Sequence, residues 1–248
     1  MGASANVDEL VLPGGGQGSF RKTGPGEDSV ARRRLGGGGE RDRLRSAVVP
    51  GYMVKALDES TWPAFAALVE RNNGIFGGCW CMGFHDDDDK ANEAAVNRER
   101  KLARVRAGEA HAALVFDGEA CLGWCQFGAP AEVPRIKSRA AYERELSELP
   151  DWRITCNYVG KGHRRQGVAL AALAGALDLI AGLGGGRVEG YPEDAGSVPA
   201  GFLFNGALST YEKLGFVRDR KIGKHRWVVT TVVEPRPGRL DDLPRDRR

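Results

Sequence analysis

Hydrophobic positions recur with two different periods through the middle of this chain and with almost none at its ends. In TWPAFAALVERNN, Phe65, Leu68 and Val69 fall on one helical face. Thr61 stands where it can cap that helix, and Pro63 sits in the first turn, where a missing N–H costs nothing. A second helix is expected from about residue 91 to 106, after the acidic run Asp86 to Asp89, whose charge suits the positive end of a helix dipole. HAALVFDG and ACLGWCQFG then read as short strands, with Asp117 and Gly118 as the hairpin turn between them. Residues 135–152 form a charged, helical insertion, and WRITCNYV after it is again strand-like.

Val168, Leu170, Leu173, Leu177 and Ile180 follow at mixed three- and four-residue spacing, the mark of an amphipathic helix, until the glycines at 184–186 stop it. The strand RVEGYP, the helix FNGALSTYEKLGF ended by Gly215, and the strand HRWVVTTVV complete the series. A hairpin followed by alternating strands and helices predicts the α/β class, with a mixed, mostly antiparallel central sheet flanked by helices.

The two ends lack this patterning. Residues 1–48 contain PGGGQGS, LGGGGE and a run of arginines, and bury too little apolar surface to offset the entropy of ordering, so they are expected to be a disordered tail. The polar, Pro-containing stretch 235–248 is expected to behave alike. One domain spans 52–234.

Composition removes several function classes. With 36 basic and 33 acidic residues the net charge of +3 is too balanced to argue for a nucleic-acid partner. No apolar run reaches the length of a membrane span, and MGASANVDEL lacks the layout of a signal peptide. Five cysteines in 248 residues suit a reducing compartment, so the chain is expected to be cytoplasmic. Cys121 and Cys125 lie at even spacing within a strand and are expected to pack on one face; no metal is expected.

The chemistry concentrates in VGKGHRRQGVALAAL, residues 159–173. The first turn of a helix presents backbone N–H groups without internal partners and a partial positive charge. Gly167 permits close approach to that backbone, while Arg164 and Arg165 add donors suited to phosphate oxygens. The stretch is neither a P-loop nor a dinucleotide fingerprint. It reads R/Q-x-x-G-x-G/A as Arg164-Arg165-Gln166-Gly167-Val168-Ala169. Together with TYEKLGF at 210–216 and GWCQFG at 123–128, it resembles the GNAT superfamily of N-acetyltransferases over about residues 52 to 232.

That resemblance implies a GNAT-like acyltransferase fold and acetyl-CoA as co-substrate, held through its pyrophosphate by Arg164, Arg165, Gln166, Gly167, Val168 and Ala169. It further implies a bulged fourth strand splayed from the fifth, with the pantetheine arm beside Tyr158 and Val159 and the Val159 backbone donating to the thioester carbonyl. Transfer would be direct attack by a primary amine of a small molecule or protein. Freeing a lysine-like amine of its proton at neutral pH costs about 4.6 kcal/mol. By the same resemblance Tyr211 is the acid that protonates the departing sulfur; Glu189, on the fifth strand near the splay, is the candidate base by its place there. The aromatic, sulfur-rich GIFGGCWCMGFH, residues 74–85, is expected to wall the acceptor pocket, with the insertion 135–152 as its lid. Lys161 stands where the family often has proline, and Asn205 is displaced by one position from the family's asparagine. The expected partners are acetyl-CoA and an amine acceptor, with no nucleic acid and no membrane; a homodimer is compatible with this. A non-catalytic CoA-binding sensor or interaction module is the rival reading.

Overall fold

A computed structural model describes residues 51–85, 93–194, 196 and 203–236 of the chain. The two tails and the acidic run Asp86 to Asp89 lie outside the described residues. Seven strands, β1 (Met53–Ala56), β2 (His111–Asp117), β3 (Ala120–Gly128), β4 (Trp152–Val159), β5 (Gly186–Gly190), β6 (Val217–Lys221) and β7 (Trp227–Val233), form one sheet. Its order is β1-β2-β3-β4-β5-β7-β6, and all neighbours are antiparallel except β4 and β5. The mixed α/β architecture expected from the patterning is therefore present. Strands β1 and β6 are additions to it: MVKA and VRDRK lie at the sheet edges, and short edge strands carry little apolar periodicity.

The helices are α1 (Trp62–Arg71), α2 (Ala94–Ala107), α3 (Arg139–Arg144), α4 (Val168–Gly182) and α5 (Leu208–Glu212). Helix α4 covers one face of the sheet, where Leu173, Leu177 and Ile180 pack against Ala113, Val115, Ile154 and Val188. Each such aliphatic side chain contributes about 1.5–3 kcal/mol on burial. Gly175 lies against Val54 so closely that a Cβ there would overlap the valine side chain, which is how α4 seats on the edge strand. On the opposite face Phe65, Leu68 and Val69 of α1 pack with Trp80, Leu114, Phe116 and Trp124.

Several local expectations shift by a residue or a turn. Thr61 occupies the N-cap position of α1 without capping it, because its hydroxyl oxygen accepts from the Asp58 N–H at 2.9 Å while its hydrogen goes to the Ala56 carbonyl at 2.8 Å. In the hairpin, Asp117 is still paired with Ala120, so Gly118 and Glu119 make the turn; Gly118 supplies the positive φ of 56°. The insertion is helical over only six residues, and the last helix begins at Leu208 because Gly206, at φ 88°, turns the chain first. Cys121 and Cys125 lie on opposite faces: Leu122 is an extra residue in β3 opposite Val115 and Phe116, and one inserted residue reverses the parity of a strand.

Candidate functional site

Strand β4 pairs with β3 at Gln126 opposite Cys156, then at Phe127 opposite Ile154, which leaves Thr155 as a bulged residue. On its other side β4 pairs with β5 only from Trp152 to Ile154. Beyond Gly190 the chain turns toward β7, where Trp227 N–H donates to the Pro192 carbonyl and Asp194 N–H to the His225 carbonyl. A bulge increases local twist, and here it coincides with the point where the two strands part. The second half of β4 thus presents an edge inside the sheet. Asn157 N–H on that edge donates to the Phe204 carbonyl at 2.8 Å. Because N–H groups alternate sides along a strand, Val159 presents its amide to the same side.

From Val159 the chain passes through Gly160, whose amide is tied to the Leu122 carbonyl at 2.8 Å, into the turn that opens α4. Arg164, Arg165 and Gln166 are exposed in that turn and Gly167 is half-buried. Arg165 has φ 60° and Gly167, the N-cap, has φ 87°. A side chain in the left-handed region is uncommon outside turns, and here it accompanies two guanidiniums displayed at a helix start. Tyr52 OH donates to the Gln166 carbonyl and Gln166 Nε2 to the Gly162 carbonyl, which hold the turn's shape while leaving its positive charge outward. Val168 is buried under β3, where Gly123 leaves no room for a Cβ between it and β4, and Ala169 accepts a bond from Asn157 Nδ2 at 3.0 Å. Burial raises the Tyr158 phenol's pKa, against the opposing pull of Arg164. The eight residues read from the sequence as carrier-binding are therefore contiguous in space, from the β4 edge to the first turn of α4.

Tyr211 and Glu189 are both fully buried. Tyr211 OH donates to the Asn205 carbonyl at 2.9 Å, and its ring lies against Gly190, Gly206 and Phe216. Burial pushes the phenol well above its ordinary range. To protonate a leaving group it must first give up its bond to Asn205. Glu189 accepts from Tyr142 OH at 2.9 Å and Tyr191 OH at 3.1 Å, and pairs with Arg187 at 2.9 Å. Both of its oxygens are thus engaged, Oε2 by the two phenols and Oε1 by Arg187.

A cavity of about 420 Å³ opens beside the β4 edge, lined by Ile75, Phe76, Cys79, Cys81, Gly83 and Phe84 from segment 74–85 together with Cys156 and Phe204. Arg135, Ile136 and Lys137 of the insertion complete its wall. Lys137 Nζ lies 4.0 Å from the Phe204 ring centroid. Under this wall sits a polar cluster that sequence reading missed. Lys101 Nζ donates to Gln126 Oε1 at 2.8 Å and faces His85 Nε2 at 3.3 Å, while His85 Nδ1 faces the Glu132 carbonyl at 2.8 Å. The available signal was a stripe on α2, Asn97, Lys101 and Val105 at four-residue spacing; two of its three members are polar, so hydrophobic periodicity passes over it.

No family model matches the sequence, and no curated protein does. The solved structures similar to this chain include GNAT-family acetyltransferases. A Desulfovibrio desulfuricans protein assigned as an acetyltransferase of the GNAT family shares 12% identity, covering 73% of this chain and 99% of its own, with a TM-score of 0.45. A structure from Corynebacterium glutamicum described as histone acetyltransferase HPA2 and related acetyltransferase shares 14% identity over 75% of this chain and 97% of its own, TM-score 0.45. A Salmonella typhimurium protein assigned as an acetyltransferase, solved with its cofactor acetyl-CoA, shares 13% identity over 76% and 97%, TM-score 0.44.

Proposed function

We propose that this chain is an acetyl-CoA-dependent N-acetyltransferase of the GNAT type that moves an acetyl group to a primary amine. One observation carries the reading: a β4 strand bulged at Thr155 parts from β5 and runs directly into the Arg164 to Ala169 turn of α4. An open strand edge suits an extended amide-bearing arm, because backbone groups on both sides can pair as in a sheet. An exposed, doubly basic helix start suits a diphosphate. Only residues 160–163 separate the two, so a single carrier with both parts would meet them in succession.

In this reading Arg164, Arg165 and the amides of Gln166 to Ala169 hold the diphosphate. The Tyr158 and Val159 edge aligns the arm, and the Val159 amide faces the thioester carbonyl as negative charge develops there. The cavity beside Cys156 and Phe204 receives the amine-bearing acceptor. Tyr211 is the proposed acid and Glu189 the proposed base, acting through relays because both are enclosed. That enclosure also favours the second reading, a CoA-binding module without turnover.

Calorimetry with acetyl-CoA, followed by CoA-thiol release against a library of primary amines, tests the assignment. The expected result is saturable binding weakened by Arg165→Ala, with turnover on at least one amine. Binding without turnover on any amine would favour the sensor; no binding at low ionic strength would overturn both readings.

A further inference from the structure

Two cysteines from distant parts of the chain meet in the wall of the acceptor cavity. Cys81, in the 74–85 segment, and Cys156, one residue past the β4 bulge, lie 3.3 Å apart Sγ to Sγ, and both line the cavity. Cys156 adjoins Asn157, whose amide holds Phe204, and Phe204 lines the same cavity. The sulfur pair is thus adjacent to the parted edge of β4.

As a thiol Cys81 donates to Cys156 Sγ at 3.3 Å; once ionised it can accept from Cys156, and Trp124 Nε1–H already donates to it from 3.2 Å. Lys101, 1% exposed, adds positive charge from the cluster beneath. His85 Nδ1 must be the protonated nitrogen, since it faces a carbonyl, so His85 Nε2 is an acceptor for Lys101. Both hydrogen-bond partners of the Lys101 ammonium are therefore neutral. Among the described residues no carboxylate forms an ion pair with Lys101; its attractive electrostatic partners are the sulfurs of Cys81, Cys156 and Cys79. Burial foremost draws the Lys101 ammonium's pKa down, and a thiolate at Cys81 would supply the counter-charge that favours its proton. The hydrogen bond with Cys156 foremost, then Lys101 and Trp124, draws the Cys81 thiol below its ordinary range against the opposing effect of burial, whereas Cys156 is driven well above it. The backbone is held in an unusual shape here: Trp80 and Cys81 have φ 48° and 58°. Strain of this kind persists where surrounding packing dictates a side chain's aim.

We propose that Cys81 is the nucleophile of a covalent acyl-transfer step, taking the acetyl group from the carrier before the amine receives it. This rests on the reading that acetyl-CoA occupies the β4 edge. The Cys81 thiolate attacks the thioester carbonyl; a new S–C bond forms at Cys81, the old one to CoA breaks, and CoA leaves as a thiolate protonated through the Tyr211 relay, which recovers its proton from solvent. The amine then attacks the Cys81 thioester, its nitrogen loses one proton through the Glu189 relay to solvent, and Cys81 is restored as the thiolate. No oxidant or reductant is needed, and the exchange of one thioester for another is close to energetically neutral. Cys156 and Lys101 are positioning residues.

The full-length chain is incubated with acetyl-CoA and no amine, quenched in acid, and mapped by mass spectrometry, alongside calorimetry with acetyl-CoA. One acetyl group on Cys81, absent in Cys81→Ala, is the expected result. Binding of acetyl-CoA without acetyl on Cys81 at any quench time overturns the covalent step and leaves the proposed function standing, whereas absence of binding removes both. Iodoacetamide labelling of the wild-type chain at neutral pH needs no variant to fold. Cys81 is expected to alkylate about tenfold faster than Cys79, whose thiol burial pushes up. Trp124→Phe, which keeps an aromatic side chain and removes the donor, is expected to slow it several-fold. Equal rates at Cys81 and Cys79 would count against the thiolate.

Discussion

Asn157 is tied twice: its backbone amide donates to the Phe204 carbonyl at 2.8 Å, and its side-chain Nδ2 donates to the Ala169 carbonyl at 3.0 Å. The first bond pins the segment at 203–207 to the parted edge of β4. The second pins that edge to the opening turn of α4. One residue therefore fixes the distance between the place where an extended arm can pair and the place where an anion can sit. Phe204 in turn supplies a ring to the cavity wall and lies next to Asn205, the acceptor for Tyr211. The parted β4 edge, the opening turn of α4 and the cavity are mechanically one unit.

Arg165 separates charge from backbone strain. At φ 60° a non-glycine residue costs about 1–2 kcal/mol, which Arg165→Gly relieves, while both Arg165→Gly and Arg165→Ala remove the guanidinium. Arg165→Gly is expected to match or exceed wild-type stability in urea unfolding and yet bind acetyl-CoA about ten- to a hundredfold more weakly, from loss of a charge-assisted hydrogen bond worth about 1.5–3 kcal/mol. The wild-type affinity is expected to fall more steeply with salt than that of either variant. Equal affinities across the three proteins would remove Arg165 from the anion site.

For Tyr211 the question is whether the hydroxyl acts on the reaction or only on the fold. Tyr211→Phe leaves the buried Asn205 carbonyl without its donor, and a loss of about 1–3 kcal/mol in stability is expected from that alone. If the hydroxyl also protonates the departing sulfur, turnover is expected to fall by about two orders of magnitude with little change in acetyl-CoA affinity. A stability loss with unchanged turnover would assign Tyr211 to packing.

Gly190 is the last β5 residue still paired with β4, and a Cβ there would fall within the ring of Tyr211. The ring has no room to retreat, being wedged against Gly206 and Phe216. Gly190→Ala is therefore expected to cost about 1–3 kcal/mol in equilibrium unfolding, the usual penalty of overpacking. Tyr211→Leu combined with Gly190→Ala is expected to recover part of that loss. A Gly190→Ala variant as stable as wild type would show that the ring is mobile.

Much of this organisation was legible before any coordinates. The strand WRITCNYV is reproduced residue for residue as β4, and of the stripe Val168, Leu170, Leu173, Leu177 and Ile180 all but the half-buried Leu170 are buried on α4, because long apolar elements declare their extent. The contiguity of residues 158–169 follows from their adjacency in sequence. The parity reversal at Cys121 was not legible, since a bulge in β3 is a property of pairing with β2 and leaves the local alternation intact. Nor was the enclosure of Glu189 by Tyr142, Tyr191 and Arg187, two of which come from outside its strand. The Lys101, His85 and Gln126 cluster draws on three separate segments, and only tertiary structure brings such polar groups together.

That cluster makes stability sensitive to acid. Burial foremost, then the charges of Lys101 and Arg104, push the His85 imidazole from its ordinary value of 6.5 down to about 2. The unfolded chain therefore takes up a proton through about pH 6.5 that the folded chain refuses until near pH 2. The stability contributed by the neutral ring is complete above about pH 6.5 and is lost as pH falls through that window, at up to about 1.4 kcal/mol per unit. His85→Gln keeps an amide donor for the Glu132 carbonyl and an oxygen for Lys101 but cannot titrate. It is expected to be less stable than wild type at neutral pH by about 1–2 kcal/mol and to show a flatter decline toward acid. Urea midpoints between about pH 7 and pH 4.5 measure both quantities. Parallel declines in the two proteins would mean that His85 takes its proton in the folded state as readily as in the unfolded one, and that the hydrogen bond to Lys101 does not hold the ring neutral.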